Sequence, residues 1–310
     1  MNGLATTRSA PSTGAVRRIR TARGLLRVIS INTHRGQGPK LPYLMRHAQP
    51  EERERVRLLH DTRAYAFHIA EWLRKQNGRH HVVALQEVFR GVFGSLSWAF
   101  PRRSRQGDYY RTLAGYPSAH SHRVGFAAFE YENVLLSRLG LSDAPLVHSL
   151  LPGRVFRLAA CGFTLAPYRF GRSTVWIGNT HLHAYNPRAR ALQATHIARE
   201  IRRLGDVPVV FLGDLNTVPP GCKDGDFPHG DRDRHSYRND RSLSILAEAG
   251  LRTIAHEDRE EFWTYPTGIP NRTLDYILFS RHWNVEDYRV VREFSLSDHY
   301  PVEAELRLGP

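Results

Sequence analysis

Residues 208–216 read Pro-Val-Val-Phe-Leu-Gly-Asp-Leu-Asn. The apolar run 208–212 is too short for a helix and rich in β-branched and aromatic residues, so it reads as a buried strand that ends on Gly213-Asp214. The same grammar recurs along the chain. Residues 26–31 (Leu-Arg-Val-Ile-Ser-Ile) end at Asn32, residues 81–85 carry Gln86 and Glu87 out of their C-terminal end, and residues 173–179 run into Thr180 and His181. Ser297-Asp298-His299 adjoins the strand predicted over 302–308. Strands that deliver carboxylate, amide and imidazole groups onto one rim are how a sandwich builds a hydrolytic site, and such groups suit a hard divalent cation and phosphate oxygens.

Between these runs the hydrophobic spacing turns helical. From Glu51 onward Leu59, Thr62, Ala66, Ile69 and Leu73 share one face, and Gly78 ends the helix. Asn186 caps a second helix, Pro187 fits its first turn, and Ala194, Ile197, Ile201 and Leu204 form its apolar face. A short helix is predicted over 242–249, and further strands over 124–129, 133–136, 157–166, 274–279 and 285–292. Residues 89–115, with Trp98 and the basic run Pro-Arg-Arg-Ser-Arg at 101–105, read as irregular, either a substrate-backbone contact or a solvated face over a small aromatic cluster. Residues 218–240 read as a long loop; Asp224, Asp226, His229, Asp231, Asp233 and His235 are candidates for a second ion, but without regular ligand spacing they read as a flexible, solvated loop that flanks Asn216 and could gate the substrate. Strands and helices alternate without a βαβ period or a glycine-rich phosphate loop, which favours packed sheets with outer helices over a nucleotide-binding sheet.

Bulk properties narrow the partners. The chain has 310 residues, 41% hydrophobic and 24% charged, an ordinary globular composition. A formal net charge of +14 fits a polyanionic partner, nucleic acid or an anionic membrane surface. Arg supplies all but three of the 44 basic residues, the exceptions being Lys40, Lys75 and Lys223, a skew that a GC-rich genome also produces. Two cysteines, Cys161 and Cys222, build neither a disulfide framework nor a zinc site and fit a reducing compartment. Residues 1–23 hold Ser, Thr, Ala and Arg with no acidic residue and no secretory apolar stretch, so they read as a disordered basic leader, a composition shared with organellar transit peptides. No run approaches the roughly eighteen apolar residues of a membrane span. The strand-end segments extend from Asn32 to His299, so a shared site makes residues 24–310 one domain. The expectation is a soluble cytoplasmic monomer, peripheral to a membrane at most.

In order, these segments, together with Leu274-Asp275-Tyr276, resemble the endonuclease/exonuclease/phosphatase superfamily, which includes pancreatic deoxyribonuclease, abasic-site endonucleases, inositol-phosphate phosphatases and neutral sphingomyelinases. The resemblance runs from about residue 25 to residue 308. It implies an α/β fold, a four-layer α/β/β/α sandwich of two packed, mainly antiparallel sheets with outer helices, and a metal-dependent phosphoric ester hydrolase using Mg²⁺ or Mn²⁺. Glu87, a carboxylate at a strand end, suits a metal that keeps several waters. The resemblance implies Asn32 and Asp298 in the same shell, although each is also an ordinary turn residue after a strand. Asp214 and Asn216 lie two apart and point the same way if the strand continues through them, one to orient water and one to donate to a phosphate oxygen. Asp275 is expected to hold His299, as general base or phosphate ligand; without it, His299 would be a capped surface residue.

His181 carries the substrate question. In the deoxyribonuclease branch a histidine here pairs with a glutamate that precedes an apolar strand and Ser-Arg, and Tyr131-Glu132-Asn133 followed by Val-Leu-Leu-Ser-Arg makes Glu132 the expected partner. Such a pair would let His181 protonate the leaving group or stabilise the phosphorane; otherwise Glu132 is an exposed strand-start residue. Thr180-His-Leu-His-Ala-Tyr-Asn186 looks like the neutral sphingomyelinase segment, with Tyr116-Pro-Ser-Ala-His120 a looser echo, and makes His183 either a second rim group or a support for the first. His80, His81 and His196 carry no signal. The expected substrate is therefore a phosphodiester in nucleic acid, with a phospholipid head group second and a small phosphomonoester third. A binding module that kept the fold and lost the chemistry is a separate class, disfavoured by the completeness of the set.

Overall fold

The apolar runs form the centres of two sheets. The computed structural model describes residues 24–34, 65–76, 78–92, 106–126, 129–150, 161–220, 222, 237 and 240–309. The leader, the first part of the helix expected from Glu51, the 101–105 basic run and the Asp/His candidates of 224–235 lie outside these residues.

In chain order the elements are β1 (Leu25–Asn32), α1 (Tyr65–Lys75), β2 (Val82–Val92), α2 (Gln106–Leu113), β3 (Ser118–Phe126), β4 (Phe129–Ser137), β5 (Val147–Leu150), β6 (Gly162–Phe170) and β7 (Ser173–His181). There follow α3 (Pro187–Arg203), β8 (Val209–Asp214), α4 (Ser242–Glu248), a 3₁₀ turn (Glu260–Phe262), β9 (Asp275–Phe279), β10 (Trp283–Val290) and β11 (Val302–Leu308). One sheet has the order β10-β11-β1-β2-β4-β3 and the other β5-β6-β7-β8-β9.

Three apolar layers give the sandwich. Leu26, Val28, Val82, Ala84 and Leu135 of the first sheet meet Tyr168, Ile177, Val210, Leu212 and Ile277 of the second. On the outer face of the first sheet, Ile29, Ile31, Val83 and Leu85 pack against Ile69 and Leu73 of α1 and Tyr110 of α2. Phe163, Leu165, Phe211 and Leu278 cover the other outer face under Ala194, Ile197 and Ile201 of α3 and Leu246 of α4. Central strands are thus buried on both sides, which is why their sequences are continuous apolar runs instead of alternating ones. The order of layers is α/β/β/α, as expected.

α3 forms where its caps direct. Asn186 Oδ1 accepts from the amides of Arg188 at 2.9 Å and Ala189 at 3.2 Å, Pro187 opens the first turn, and Arg202 and Arg203 lie in the last turn, where positive charge complements the helix dipole.

Two expectations are corrected. Residues 89–115 are not irregular throughout: β2 continues to Val92, and Gln106–Leu113 is helical, with Tyr110 fully buried. The absence of a βαβ period also fails. β1 pairs parallel with β2 across α1, and β7 pairs parallel with β8 across α3. Parallel neighbours need a crossover of a dozen or more residues, and these helices supply it. Each crossover aligns the C-terminal ends of two strands, and that is what gathers the polar strand ends on one rim.

Candidate active site

Register places three ionisable residues side by side. His181, the last residue of β7, is opposite Asp214, the last of β8, and Asp214 is opposite Asp275, the first of β9. On the facing sheet Asn32, which ends β1, is opposite Gln86 of β2. The sheets meet here through Asn32, whose Nδ2 donates to Asp214 Oδ2 at 2.9 Å and lies 3.4 Å from Glu87 Oε1. His181 Nε2 sits 3.5 Å from Asp214 Oδ2 and 4.0 Å from Glu87 Oε1. His299 Nδ1 lies 2.8 Å from Asp275 Oδ2, and its Nε2 lies 3.8 Å from Asp214 Oδ2 and 4.0 Å from Asp298 Oδ1. Asn32, Glu87, His181, Asp214, Asn216, Asp275, Asp298 and His299 therefore share one rim.

Three backbone positions are aimed here against their preferences. Among the described residues, His34 (φ 43°), Glu87 (φ 52°) and Asn216 (φ 48°) are the non-glycine residues at positive φ, a conformation that costs a side-chain-bearing residue of order 1 kcal/mol. The pairing of β2 with β4 breaks between Leu85 and Val88, so Glu87 stands on a bulge that turns it out of the sheet. Thr33 Oγ1 secures that kink by donating to the carbonyls of Gln86 at 3.0 Å and Glu87 at 3.1 Å. Asn216 lies beside Asp214 for a different reason than a continuing strand. β8 stops at Asp214, whose Oδ1 accepts from the Asn216 amide at 2.9 Å, while Asn216 Nδ2 donates to the Leu182 carbonyl at 3.1 Å.

Glu132 does not meet His181. It lies in mid-strand on β4, buried, on the same face as Val134 and Leu136, toward α2, where its Oε1 is 3.2 Å from the position a Cβ would take on Gly107. His181 has Asp214 and Glu87 as its carboxylate neighbours instead. His183 is likewise turned away from rim chemistry: its Nδ1 accepts from the amides of Tyr185 at 3.1 Å and Asn186 at 3.2 Å. Burial and the nearby Arg190 lower its pKa, consistent with a neutral ring that accepts.

Thr264, Tyr265 and His34 complete the site without a motif of their own in the sequence. Thr264 Oγ1 accepts from the amides of Leu274 at 3.0 Å and Asp275 at 3.2 Å, fixing the start of β9, and the Tyr265 ring centroid lies 4.8 Å from that of His299. Gln86 Nε2 donates to Asn179 Oδ1 at 2.8 Å, tying the sheets together beneath the rim. His34 donates its amide to Asn32 Oδ1 at 2.9 Å, and its Nδ1 is 3.6 Å from Asp298 Oδ1. The adjacency of His34 to Asn32 was the available hint.

The electrostatics follow from burial. Asp214, Asp275 and Asp298 are each no more than 2% exposed, and burying carboxylates costs several kcal/mol apiece unless charge or hydrogen bonds compensate. Among the described residues neither Asp214 nor Asp275 forms an ion pair with Arg or Lys; their cationic neighbours are imidazoles. Burial, reinforced by the Asp275 carboxylate, raises the pKa of Asp214 against the pull of His299 and His181. Burial disfavours a charged His299, but the carboxylates of Asp275, Asp214 and Asp298 outweigh it and push the imidazole up to about 10. Among the described residues Asp275 Oδ1 is buried with no hydrogen-bond donor. Ligand atoms of Asp214, Asp275 and His299 all lie within 4.8 Å of one another. An acceptor-rich, buried donor set with an orphaned carboxylate oxygen fits a divalent cation, and these three residues form a candidate metal site.

Residues 59–299 match the family model described as Endonuclease/Exonuclease/phosphatase family. No curated protein matches the chain by sequence. Among solved structures the chain is similar to an endonuclease/exonuclease/phosphatase from Beutenbergia cavernae DSM 12333, at 20% identity over 93% of this chain and 72% of that one, with a TM-score of 0.65. It is also similar to the mannosyl-6-phosphatase Bt3783 of Bacteroides thetaiotaomicron VPI-5482, at 14% identity over 91% and 99% and a TM-score of 0.58. D. rerio TDP2, solved with a single-strand DNA product, shares 14% identity over 91% and 99%, with a TM-score of 0.57. The chain belongs to the endonuclease/exonuclease/phosphatase family, and it is a phosphoester hydrolase of that family.

Proposed function

We propose that the chain is a Mg²⁺- or Mn²⁺-dependent phosphodiesterase that cleaves nucleic acid by in-line attack of water on phosphorus. The observation that carries the reaction is the row His181, Asp214 and Asp275 facing Asn32 and Glu87 across the two sheets, with His299 held on Asp275. Asp214, with its raised pKa, takes the proton of the attacking water. His299 carries its proton and donates through Nε2 to a non-bridging phosphate oxygen, so the sequence alternative of phosphate ligand is preferred to general base. Held between Asp214 and Glu87, His181 serves the departing oxygen without Glu132. Glu87, Asn32 and Asp298 would hold the cation beside the carboxylates of Asp214 and Asp275, while the protonated His299 would face the phosphate and not the metal. When bound, that cation polarises the phosphoryl oxygens and neutralises their charge.

The Glu132–His181 pair that favoured nucleic acid is not formed, so the choice of substrate rests on the net charge of +14. TDP2 is a neighbour described with a DNA product, and Bt3783 is named for a sugar phosphate. The phospholipid alternative drew on residues 180–186 as a whole, and within them His183 is engaged by backbone amides. Turnover of bis-p-nitrophenyl phosphate after EDTA treatment and restoration of Mg²⁺ or Mn²⁺ tests the reaction. Asp214→Ala is expected to lose at least ~10²-fold in kcat; no metal-dependent turnover, with Asp214→Ala equal to wild type, overturns the enzyme. Plasmid nicking that weakens steeply with salt tests the polymer. Release of phosphocholine from sphingomyelin with DNA left intact would reassign the substrate.

A further inference from the structure

Tyr185 lies in the short loop between His181 at the end of β7 and Pro187 at the start of α3, and its side chain is 53% exposed. Few large hydrophobic side chains among the described residues are so open, and this one is four residues from the rim, within about 14 Å of His181 along the chain.

The loop beneath it is held from every side by buried polar groups. The Leu182 amide donates to the Asp214 carbonyl at 3.0 Å, and the Leu182 carbonyl accepts from Asn216 Nδ2 at 3.1 Å, which ties the loop directly to the site end of β8. The His183 amide donates to Gln193 Oε1 at 2.9 Å, while the His183 ring accepts from the amides of Tyr185 and Asn186. The fully buried guanidinium of Arg190 donates to the carbonyls of His183 at 3.0 Å and Ala184 at 3.1 Å and is itself paired with Asp240. Burying a whole arginine and an uncharged histidine under one loop costs desolvation. What it secures is a fixed perch for an exposed aromatic ring, which packs edge-on to His183 with centroids 6.2 Å apart. A ring carried on a preordered backbone has less freedom to lose on binding than one on a mobile loop.

We infer that Tyr185 is a substrate-contact residue on which a nucleobase next to the scissile phosphodiester stacks. Every base offers a π-face, so such a platform is tolerant of sequence. Its surroundings select for anions. Arg188 is exposed one residue into α3, at the positive end of the helix. A phosphate following the stacked base meets that charge favourably, whereas a quaternary ammonium, the other ligand an aromatic face attracts, meets it unfavourably. The inference rests on the phosphodiesterase reading and names the class of substrate for the same site.

Two single-stranded oligonucleotides decide it, one fully based and one with an abasic position at the cleaved step, measured for binding in EDTA and for kcat and KM in Mg²⁺. Tyr185→Ala is expected to weaken binding of the based strand by about five- to hundredfold, to raise KM more than it lowers kcat, and to leave the abasic strand within about twofold. Tyr185→Trp should restore affinity for the based strand. An equal loss on both strands, or no loss on either, overturns the platform. A loss confined to phosphocholine-bearing vesicles, with both oligonucleotides unaffected, overturns it in favour of a choline-binding ring. Since Tyr185 is exposed, its variants should melt with wild type. Failure of wild type to hydrolyse any phosphodiester would count against the proposed function, while the binding comparison in EDTA would still decide Tyr185.

Discussion

Replacing Gly213 by alanine tests whether the geometry of the rim depends on how closely β7 and β8 approach. A Cβ at Gly213 would stand 2.2 Å from the Thr180 carbonyl oxygen, 3.0 Å from its carbon and 3.2 Å from Thr180 Cγ2. Ordinary contact begins at 3.4 Å, so the strands must part by about 1 Å, and the nearest atom is backbone that no rotamer change can move. Overpacking of this kind costs about 3 kcal/mol, equivalent to a fall of about 5 °C in Tm for a chain of this length. The displaced carbonyl directly precedes His181, and Gly213 directly precedes Asp214, so a shift of that size changes a His181–Asp214 separation of 3.5 Å. A misplacement of about 1 Å can reduce turnover by 10²-fold. Gly178→Ala separates the two effects. Its Cβ would meet Phe211 Cδ2 at 2.1 Å, Phe211 Cε2 at 2.5 Å and Leu165 Cδ2 at 2.9 Å, all side-chain atoms of the outer core. It should lose comparable stability and keep near-normal kcat below its Tm. Gly140→Ala, where nothing lies within 4 Å of the added carbon, is the neutral control. Calorimetry and metal-dependent turnover of bis-p-nitrophenyl phosphate supply both readouts. A Gly213→Ala protein with wild-type Tm and kcat, or a Gly178→Ala protein equally inactive when folded, would refute the reasoning.

Asp275→Asn should lower kcat by about 10²- to 10⁴-fold while the protein stays folded, because the amide no longer holds and charges His299 at 2.8 Å; far-UV circular dichroism beside the turnover assay checks it. His34→Gly relieves the positive φ while deleting the imidazole near Asp298, so Tm should hold or rise slightly as activity falls, and a drop in both would make His34 merely structural. Glu303 lies on β11, outside the rim cluster, and contributes to acid stability. Burial raises its pKa, but hydrogen bonds from His80 at 2.8 Å and Arg289 at 2.5 Å outweigh this and hold it at about 2. With a folded value below the ordinary 4.5, its contribution is complete above pH 4.5 and is lost as pH falls toward 2. After discounting for the partly exposed arginine partners, Glu303→Gln should cost about 1–2 kcal/mol at pH 7 and flatten the dependence between pH 4.5 and 2, measured by urea denaturation across that range.

What the sequence disclosed was whatever a strand states locally. The runs 26–31, 81–85 and 208–212 are mainly apolar because both faces of each central strand are covered, and the polar groups that follow them end β1 at Asn32 and β8 at Asp214 and stand on a bulge inside β2 at Glu87. His299 and Asp275 were legible as a pair because carboxylate and imidazole have one obvious use for each other. The parallel crossovers were missed because a βαβ period is diluted when antiparallel hairpins intervene between its two copies. Glu132 failed for a sharper reason: on a strand, a side chain's face is set by parity, and Glu132 has the parity of Val134 and Leu136, which pack on the helix-covered face, while Leu135 faces the other sheet. Because Val134, Leu135 and Leu136 are all apolar, the sequence does not tell which parity faces the helices, and the pair with His181 is excluded only by the packed sheets. No such rule reaches His34, Glu87 or Asn216 as strained positions, since a positive φ at a non-glycine residue is imposed by tertiary contacts and leaves no mark on composition. Thr33 supports the kink at Glu87 and Asn216 bonds the loop after His181, so the strain sits where the sheet must be broken to point a ligand outward. The residues hardest to read from the sequence are therefore the ones that aim those it does disclose.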